Sequence, residues 1–235
     1  WRFKRHRLAL LSLGVVVLFY AVALLADFLA VMDPHATDAR RSFMAPQTIH
    51  WFDDGRFAPH VYGMKGVRDL RTFKLVYEPD PSQKLPLGLF VRGSPYKLFG
   101  VIPTERHLVG LRDGAPGEGP FLLGTDQLGR DLFSRLMVAT RVSLFVGLAG
   151  VTLSLLLGIV LGGISGLVGG WADLVIQRVI EVLRSIPTIP LWMALAAALP
   201  NTWTVIEVYF AITVIISLIG WTELARVVRG RFLAL

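Results

Sequence analysis

From Val142 to Val168 the chain carries no Asp, Glu, Lys or Arg. About 20 apolar residues, at 1.5 Å rise each, cross the ~30 Å hydrocarbon core of a bilayer. In hydrocarbon every backbone N–H and C=O must be paired within the segment, and a helix does this locally. The run therefore predicts a spanning helix, and with it a membrane protein. Composition agrees: 54% of the 235 residues are hydrophobic and 17% are charged, against roughly 25% charged in soluble domains. Cysteine is absent, which excludes a disulfide framework and a thiolate metal site. The net charge of +7 is sorted by side of the membrane before any polyanion partner is considered, and nucleic acid is not expected.

The small residues of this run are ordered. Gly150, Ser154, Gly158, Gly162, Gly166 and Gly170 recur at every fourth position, which on a helix makes one ridge. Such ridges let a second helix approach backbone to backbone; which helix does so is not readable.

A first span is predicted earlier. "WRFKRHR", residues 1–7, is basic, and the chain from Leu8 to Ala26 is uncharged, with the apolar run continuing past Asp27 to Met32. The run is too long for a cleaved leader and lacks a small-residue cleavage site, so it reads as an anchor, with the basic cluster on the cytoplasmic side. Residues 33–123 differ in kind. They hold most of the charges and prolines, and short segments such as "FKLVYE" and "LGLFVRG" alternate with "PDPSQ", "GSP" and "GAPGEGP". That pattern predicts a small, mainly β extracytoplasmic domain with turns at the Pro/Gly clusters. Asp53-Asp54-Gly55 reads as a hairpin turn between "IHWF" and "RFAPHVY".

Beyond the second span, Asp173, Gln177, Glu181 and Arg184 form one polar stripe, predicting an amphipathic helix at the cytoplasmic interface that leads into a third span broken near Pro187 and Pro190. Trp203 and Trp221 lie about 27 Å apart along a helix, matching two aromatic belts around a fourth span. Glu207, just past Trp203, is placed at the interface, and Arg226, Arg229 and Arg231 return the chain to the positive side. It begins at Trp1 and ends in mid-pattern at "RGRFLAL", which reads as part of a longer chain.

Catalytic chemistry is missing from the motifs. There is no G-x-x-x-x-G-K-[ST], H-E-x-x-H or G-x-S-x-G. The five histidines are assigned surface or packing roles, and the Asp53–Gly55 stretch lacks the spacing of a calcium loop. No catalytic, cofactor or metal residue is assigned. Two functions remain: a subunit of a transport pore, or a membrane-anchored sensor or enzyme whose outer domain carries the activity.

The stretch "GTDQLGRD", Gly124 to Asp131, has glycines and acids in the manner of a binding loop. It lacks a lysine, and Asp126 and Asp131 would repel an anion, so a phosphate cradle is excluded. Thr125 or Asp126 instead predicts an N-cap. From about Leu128 an amphipathic surface helix is expected through residue 141. Leu132, Phe133, Leu136 and Met137 would share its apolar face, Asp131 and Arg135 would pair, and Arg135 and Arg141 would reach headgroups.

With these residues in view, "FLLGTDQLGRDLFSRLMVATRVSLFVGL", "GLVGGWAD", "RVIEVLRSIPTIPL" and "WTELARVVRGRFLAL" resemble C-type permease subunits of oligopeptide/dipeptide ABC transporters. The resemblance covers residues 1–32 and about 121–235. The insert of about 40–120 resembles that of a subgroup with an enlarged outer domain. The family signature falls on Gly124, Thr125, Asp126, Gly129, Arg130 and Asp131. The resemblance implies an all-α polytopic membrane protein of the type I importer fold, with four of six spans present and a β insert. The divisions are residues 1–32, 33–123, 124–141 and 142–235. It also implies a bacterial inner-membrane location, a second permease subunit, two ATP-binding subunits that hold ATP and Mg, and an extracytoplasmic solute-binding protein. Peptides are the expected cargo, with nickel, opines or oligosaccharides as alternatives. Asp173, Arg178, Glu181 and Arg184 are placed near the coupling region, whose Glu-Ala-Ala loop is expected after Leu235.

Overall fold

The computed structural model describes residues 6–68, 70, 75–112 and 118–234, with Thr188 described by its backbone alone. Parts of "WRFKRHR", "FKLVYE" and "GAPGEGP" lie outside the described residues. The chain divides into two compact units, Trp1–Arg141 and Val142–Leu235.

The first unit opens with helix α1 (Arg7–Leu24), whose N-terminus is capped by the His6 ring accepting from the Ala9 N–H at 3.2 Å. A break at Leu25 precedes the short helix α2 (Ala26–Leu29). Four antiparallel strands follow as a meander: β1 (His50–Asp53), β2 (Arg56–Arg68), β3 (Leu75–Leu98) and β4 (Ile102–Leu111). The β1–β2 connection is the predicted Asp54-Gly55 turn, with φ +47° and +78°, the left-handed pair that two-residue hairpins require.

"PDPSQ" and "GSP" do not turn the chain, contrary to expectation. Both lie within β3, where pairing skips from Asp80 to Lys84 against β2 and from Arg92 to Tyr96 against β4. The proline and glycine clusters are β-bulges. A bulge lets a strand shed the unpaired positions that proline creates while its direction continues. One core joins Val31, Met32, Met44 and Phe121; a second joins Val61, Leu87 and Leu111. Burying each such side chain stabilises the fold by roughly 1.5–3 kcal/mol.

Helix α3 (Leu132–Val168) runs without a break. The separate surface helix expected up to residue 141 is not present. No glycine, proline or polar cluster after Leu132 interrupts the hydrogen-bond ladder, so the amphipathic segment and the span are one element. Its start is four residues later than expected.

The second unit holds the rest of α3 with α4 (Gly170–Ser185), α5 (Thr188–Ala197) and α6 (Val205–Phe232). Helices α3 and α6 run parallel: Gly150 meets Thr213 and Ser217, and Gly166 meets Arg229 and Phe232. Two parallel helices in sequence need a return between them. α4 begins the return, passing from Arg229 at Asp173 to Trp221 and Ala225 at Ile180. α4 packs along α6 through Asp173 and Ile180. The third span is not one straight helix: α5 is 10 residues long, about half a crossing, and follows a break at Ile186 and Pro187. Among the described residues three helices are long and apolar enough to cross a membrane (α1, α3 and α6), and the bent α4–α5 pair can make a fourth.

Candidate functional site

Each unit holds one cluster of the residues singled out from sequence. In the first, Gly124 to Asp131 forms a closed loop pinned by an isolated bridge between Thr125 and Asp131. The Asp126 carboxylate accepts from the N–H groups of Leu128 (2.8 Å) and Arg130 (3.0 Å) and from the Arg130 side chain (2.8 Å). Burial pushes the Asp126 carboxyl up, but Arg130 and these N–H donors outweigh it and hold it below its usual range. Gly124 and Gly129 take φ +74° and +73°. A Cβ on either would collide with backbone, of Met44 and Asp38 respectively, so glycine answers both to conformation and to close approach.

The loop grips the chain leaving α2. The Thr125 hydroxyl accepts from the Met44 N–H and donates to the Arg41 carbonyl. The N–H groups of Asp38 and Phe43 donate to the carbonyls of Leu128 and Asp126. At the start of α3, Ser134 Oγ accepts from both Val31 and Met32 N–H at 3.0 Å. The signature is therefore a clasp joining the end of α2 to the start of α3.

Three expectations about this stretch are corrected. The cap of α3 is Asp131, whose Oδ2 accepts the Ser134 N–H at 2.7 Å, and not Thr125 or Asp126. Asp131 does not pair with Arg135; it is 1% exposed, and Arg135 lies 3.8 Å from Asp126. Arg141 pairs with Asp27 of α2. Sequence spacing offered the i,i+4 pair, but the helix starts one residue after Asp131, which turns its side chain onto the helix end. Nor do the four apolar residues share a setting: Leu132 and Leu136 are exposed, while Phe133 packs on the Val31–Met32 core.

Burial raises the Asp131 carboxyl above its usual range, with hydrogen bonds from Ser134 and Phe133 offsetting part of the rise. Its Oδ1 has no partner. A raised folded-state value means the folded protein binds the proton more readily, so this residue's contribution favours folding at low pH and is lost as pH rises through the folded value. Asp131→Asn should keep the cap and flatten that pH dependence. Asp131→Ala should cost about 1 kcal/mol. Thermal unfolding between mildly acidic and neutral pH checks both; a D131N variant as pH-sensitive as the parent would contradict the assignment.

In the second unit the predicted ridge finds its partner in α6. A Cβ on Gly150 would press on Thr213 and Ser217, on Gly158 on Leu224, on Gly162 on the Ala225 backbone, and on Gly166 on Phe232 and the Arg229 backbone. Ser154 donates to the Ser217 carbonyl at 3.1 Å. Gly170 does not belong to this seam. Nothing lies within 4 Å of a Cβ built there, and with Gly169 it turns the chain at positive φ, +53° and +64°.

At one end of the seam lies a polar node. Arg229 donates through Nε and a terminal nitrogen to the two oxygens of Asp173, both at 2.6 Å. Ser165 donates to the same carboxylate at 2.5 Å, and Gln177 donates to Ser165 at 3.1 Å. Helices α3, α4 and α6 thus meet on one bidentate pair, the strongest ion-pair geometry available. The predicted polar stripe divides here. Asp173 and Gln177 face inward, whereas Glu181 pairs at 2.7 Å with Arg178, well exposed, and Arg184 is exposed. Ser165 and Arg229 were missed as site residues. Ser165 sits among glycines as one more small residue, and Arg229 among arginines that read as a topology signal. Trp221 is corrected from a belt residue to core, 6% exposed against Ile180 and Ala225. Glu207 closes a capping box with Thr204. Among the described residues no His, Asp and Glu cluster could hold a metal.

Comparison with known proteins finds two family matches, one near each end of the chain. Residues 1–46 match the N-terminal TM domain of oligopeptide transport permease C, and residues 158–235 match the binding-protein-dependent transport system inner membrane component. The oligopeptide transport system permease protein OppC of Bacillus subtilis is 38% identical over 112 residues, 48% of this chain and 35% of the relative. The dipeptide transport system permease protein DppC of Lactococcus lactis is 28% identical over 234 residues, 99% of this chain and 56% of the relative. The peptidoglycan transport system permease protein YejE of Agrobacterium fabrum is 25% identical over 242 residues, 98% of this chain and 62% of the relative. The chain thus spans less than two thirds of the length of these relatives. The two family matches and these relatives together support a C-type oligopeptide/dipeptide permease.

Proposed function

We propose that the chain is a transmembrane subunit of an ATP-driven, binding-protein-dependent importer for oligopeptides or dipeptides, forming half of an alternating-access pathway. The observation that carries this reading is the parallel α3–α6 pair, joined along its length by small residues and tied at one end by Asp173 and Arg229. A bundle that closes without bulky side chains can shift as a body, and a single polar node makes three helices move together. The names of the curated relatives support peptides as the cargo class.

In this reading the chain lies in the bacterial inner membrane with its N-terminus in the cytoplasm. The β-sheet region is extracytoplasmic, and the Asp173–Arg229 end of the seam faces the cytoplasm. A second permease subunit completes the pathway, and two ATPase subunits supply ATP and Mg chemistry from the cytoplasmic side. A solute-binding protein delivers the peptide. Arg178, Glu181 and Arg184 are exposed on α4, available to meet an ATPase subunit. The chain's own work is mechanical, converting ATPase closure into a change of the side to which the pathway opens.

Purification of the native assembly tests this. A second permease-like chain and ATP-binding subunits should accompany the protein in fixed ratio, and the assembly should take up peptides at the expense of ATP. A chain that purified alone, with a ligand-triggered or catalytic activity in its sheet region, would overturn the reading.

A further inference from the structure

The β3–β4 ribbon exposes apolar side chains where an ordinary hairpin would be polar. Phe99, Val101 and Ile102 at its tip are 56%, 75% and 54% exposed, and Phe90 on β3 is 56% exposed. Phe90 and Phe99 both take positive φ, +54° and +53°, a conformation that disfavours aromatic residues by roughly 1–2 kcal/mol. Glycine or asparagine would relieve the strain. The backbone is held in an unfavourable state while two aromatic rings face away from the core, which is how strain marks a functional surface.

The first unit shows where this ribbon stands. The Phe90 ring lies 6.0 Å from that of Phe28, four residues beyond the end of the apolar helix α1. Tyr96 lines a cavity of ≈ 210 Å³ together with Asp27 and Arg141. Those two residues form the ion pair between α2 and α3, at the ends where two membrane-crossing helices leave the apolar slab. The ribbon therefore lies against α2, just beyond the end of the apolar helix α1. Its exposed charges are Arg92, Lys97 and Arg106 against one acid, Glu105, a balance complementary to anionic headgroups.

We propose that the tip of the β3–β4 ribbon is a lipid-contacting surface: Phe99, Val101 and Ile102 enter the interfacial layer of the bilayer, and Arg92, Lys97 and Arg106 meet anionic headgroups. Aromatic and basic residues at a membrane boundary have this division of labour, one anchoring depth and the other attracting charge. The surface rests on the membrane-spanning character of α1 and α3 alone, and does not depend on what is transported.

The chain has no cysteine, so a single introduced thiol is a unique probe of its residues. The permease assembly would be placed in nanodiscs with an environment-sensitive fluorophore at Val101→Cys, and at Ser82→Cys in the β3 bulge as the water-exposed reference. Lipids brominated near the headgroup should quench position 101 and leave position 82 unaffected. In the Arg92→Gln, Lys97→Gln, Arg106→Gln variant, the ratio of seated to free tip in anionic discs should fall roughly fivefold for each charge removed. Equal, water-like behaviour at positions 101 and 82 would overturn the proposal. Protection of position 101 only after a solute-binding protein is added would reassign the surface to a protein partner. Quenching that ignores anionic lipid content and the triple variant would remove the headgroup contact.

Discussion

Gly162→Leu is expected to separate α3 from α6 and destabilise the second unit by about 2–3 kcal/mol, the range for forcing extra volume into a packed contact. A Cβ at this position would lie within 3.0 Å of the Ala225 carbonyl oxygen, Cα and carbonyl carbon. Backbone cannot move aside as a flexible side-chain tip can, so the helices themselves must part. Gly163→Ala is the control, since its Cβ meets only the Phe232 ring at 3.7 Å, ordinary contact. Gly147 has nothing within 4 Å, and Gly147→Ala should be neutral or slightly stabilising through helix propensity. Thermal unfolding of the detergent-solubilised protein separates these: roughly 5–10 °C lost for G162L, and little change for the others. Equal losses at Gly162 and Gly147 would mean the ridge is not a contact surface.

Breaking the Asp173–Arg229 pair should impair transport out of proportion to folding. Arg229→Gln takes the guanidinium from the Asp173 carboxylate and leaves the Ser165 hydroxyl donating to it, and Asp173→Asn removes one half of the bidentate fork. Because this pair is where α3, α4 and α6 share a charge, its loss should let α6 move without carrying α4. Either variant is expected to lower ATP-driven uptake roughly tenfold while ATP hydrolysis continues, the size of effect seen when directly contacting residues are uncoupled. The exchanged pair, Asp173→Arg with Arg229→Asp, should recover part of the lost uptake. Single variants that transport normally, or an exchange worse than both singles, would show the pair to be incidental.

The spans were the most legible part of the sequence, because hydrocarbon forbids charge over a long and countable run. α1, α3 and α6 follow from Leu8–Ala26, Val142–Val168 and the stretch after Trp203. The Asp54-Gly55 turn was legible for an equally local reason, its backbone demanding residues that tolerate positive φ. The Pro/Gly clusters of β3 misled, since the same residues that make turns also make bulges. Only the partner strands β2 and β4 decide between the two.

The candidate site was half legible. The glycine ridge announced a close helix contact but not its partner, because small residues carry no address. Asp173 was visible as a polar position; Arg229 lies 56 residues away in sequence and had an adequate explanation in topology. Asp131 shows the cost of a one-residue error. As an i,i+4 neighbour of Arg135 it reads as a surface ion pair, whereas as the cap of α3 it is buried and feels the opposite electrostatic environment.

Uptake measured in proteoliposomes is the most direct test of the transport reading. The permease would be reconstituted with its co-purified subunits and supplied with solute-binding protein and a labelled oligopeptide on the side facing the sheet region. Accumulation that requires ATP on the opposite side, and that disappears when the binding protein is omitted, is the predicted result. Peptide entry that ignores ATP, or no entry by an intact assembly that hydrolyses ATP when offered oligopeptides or dipeptides, would contradict it.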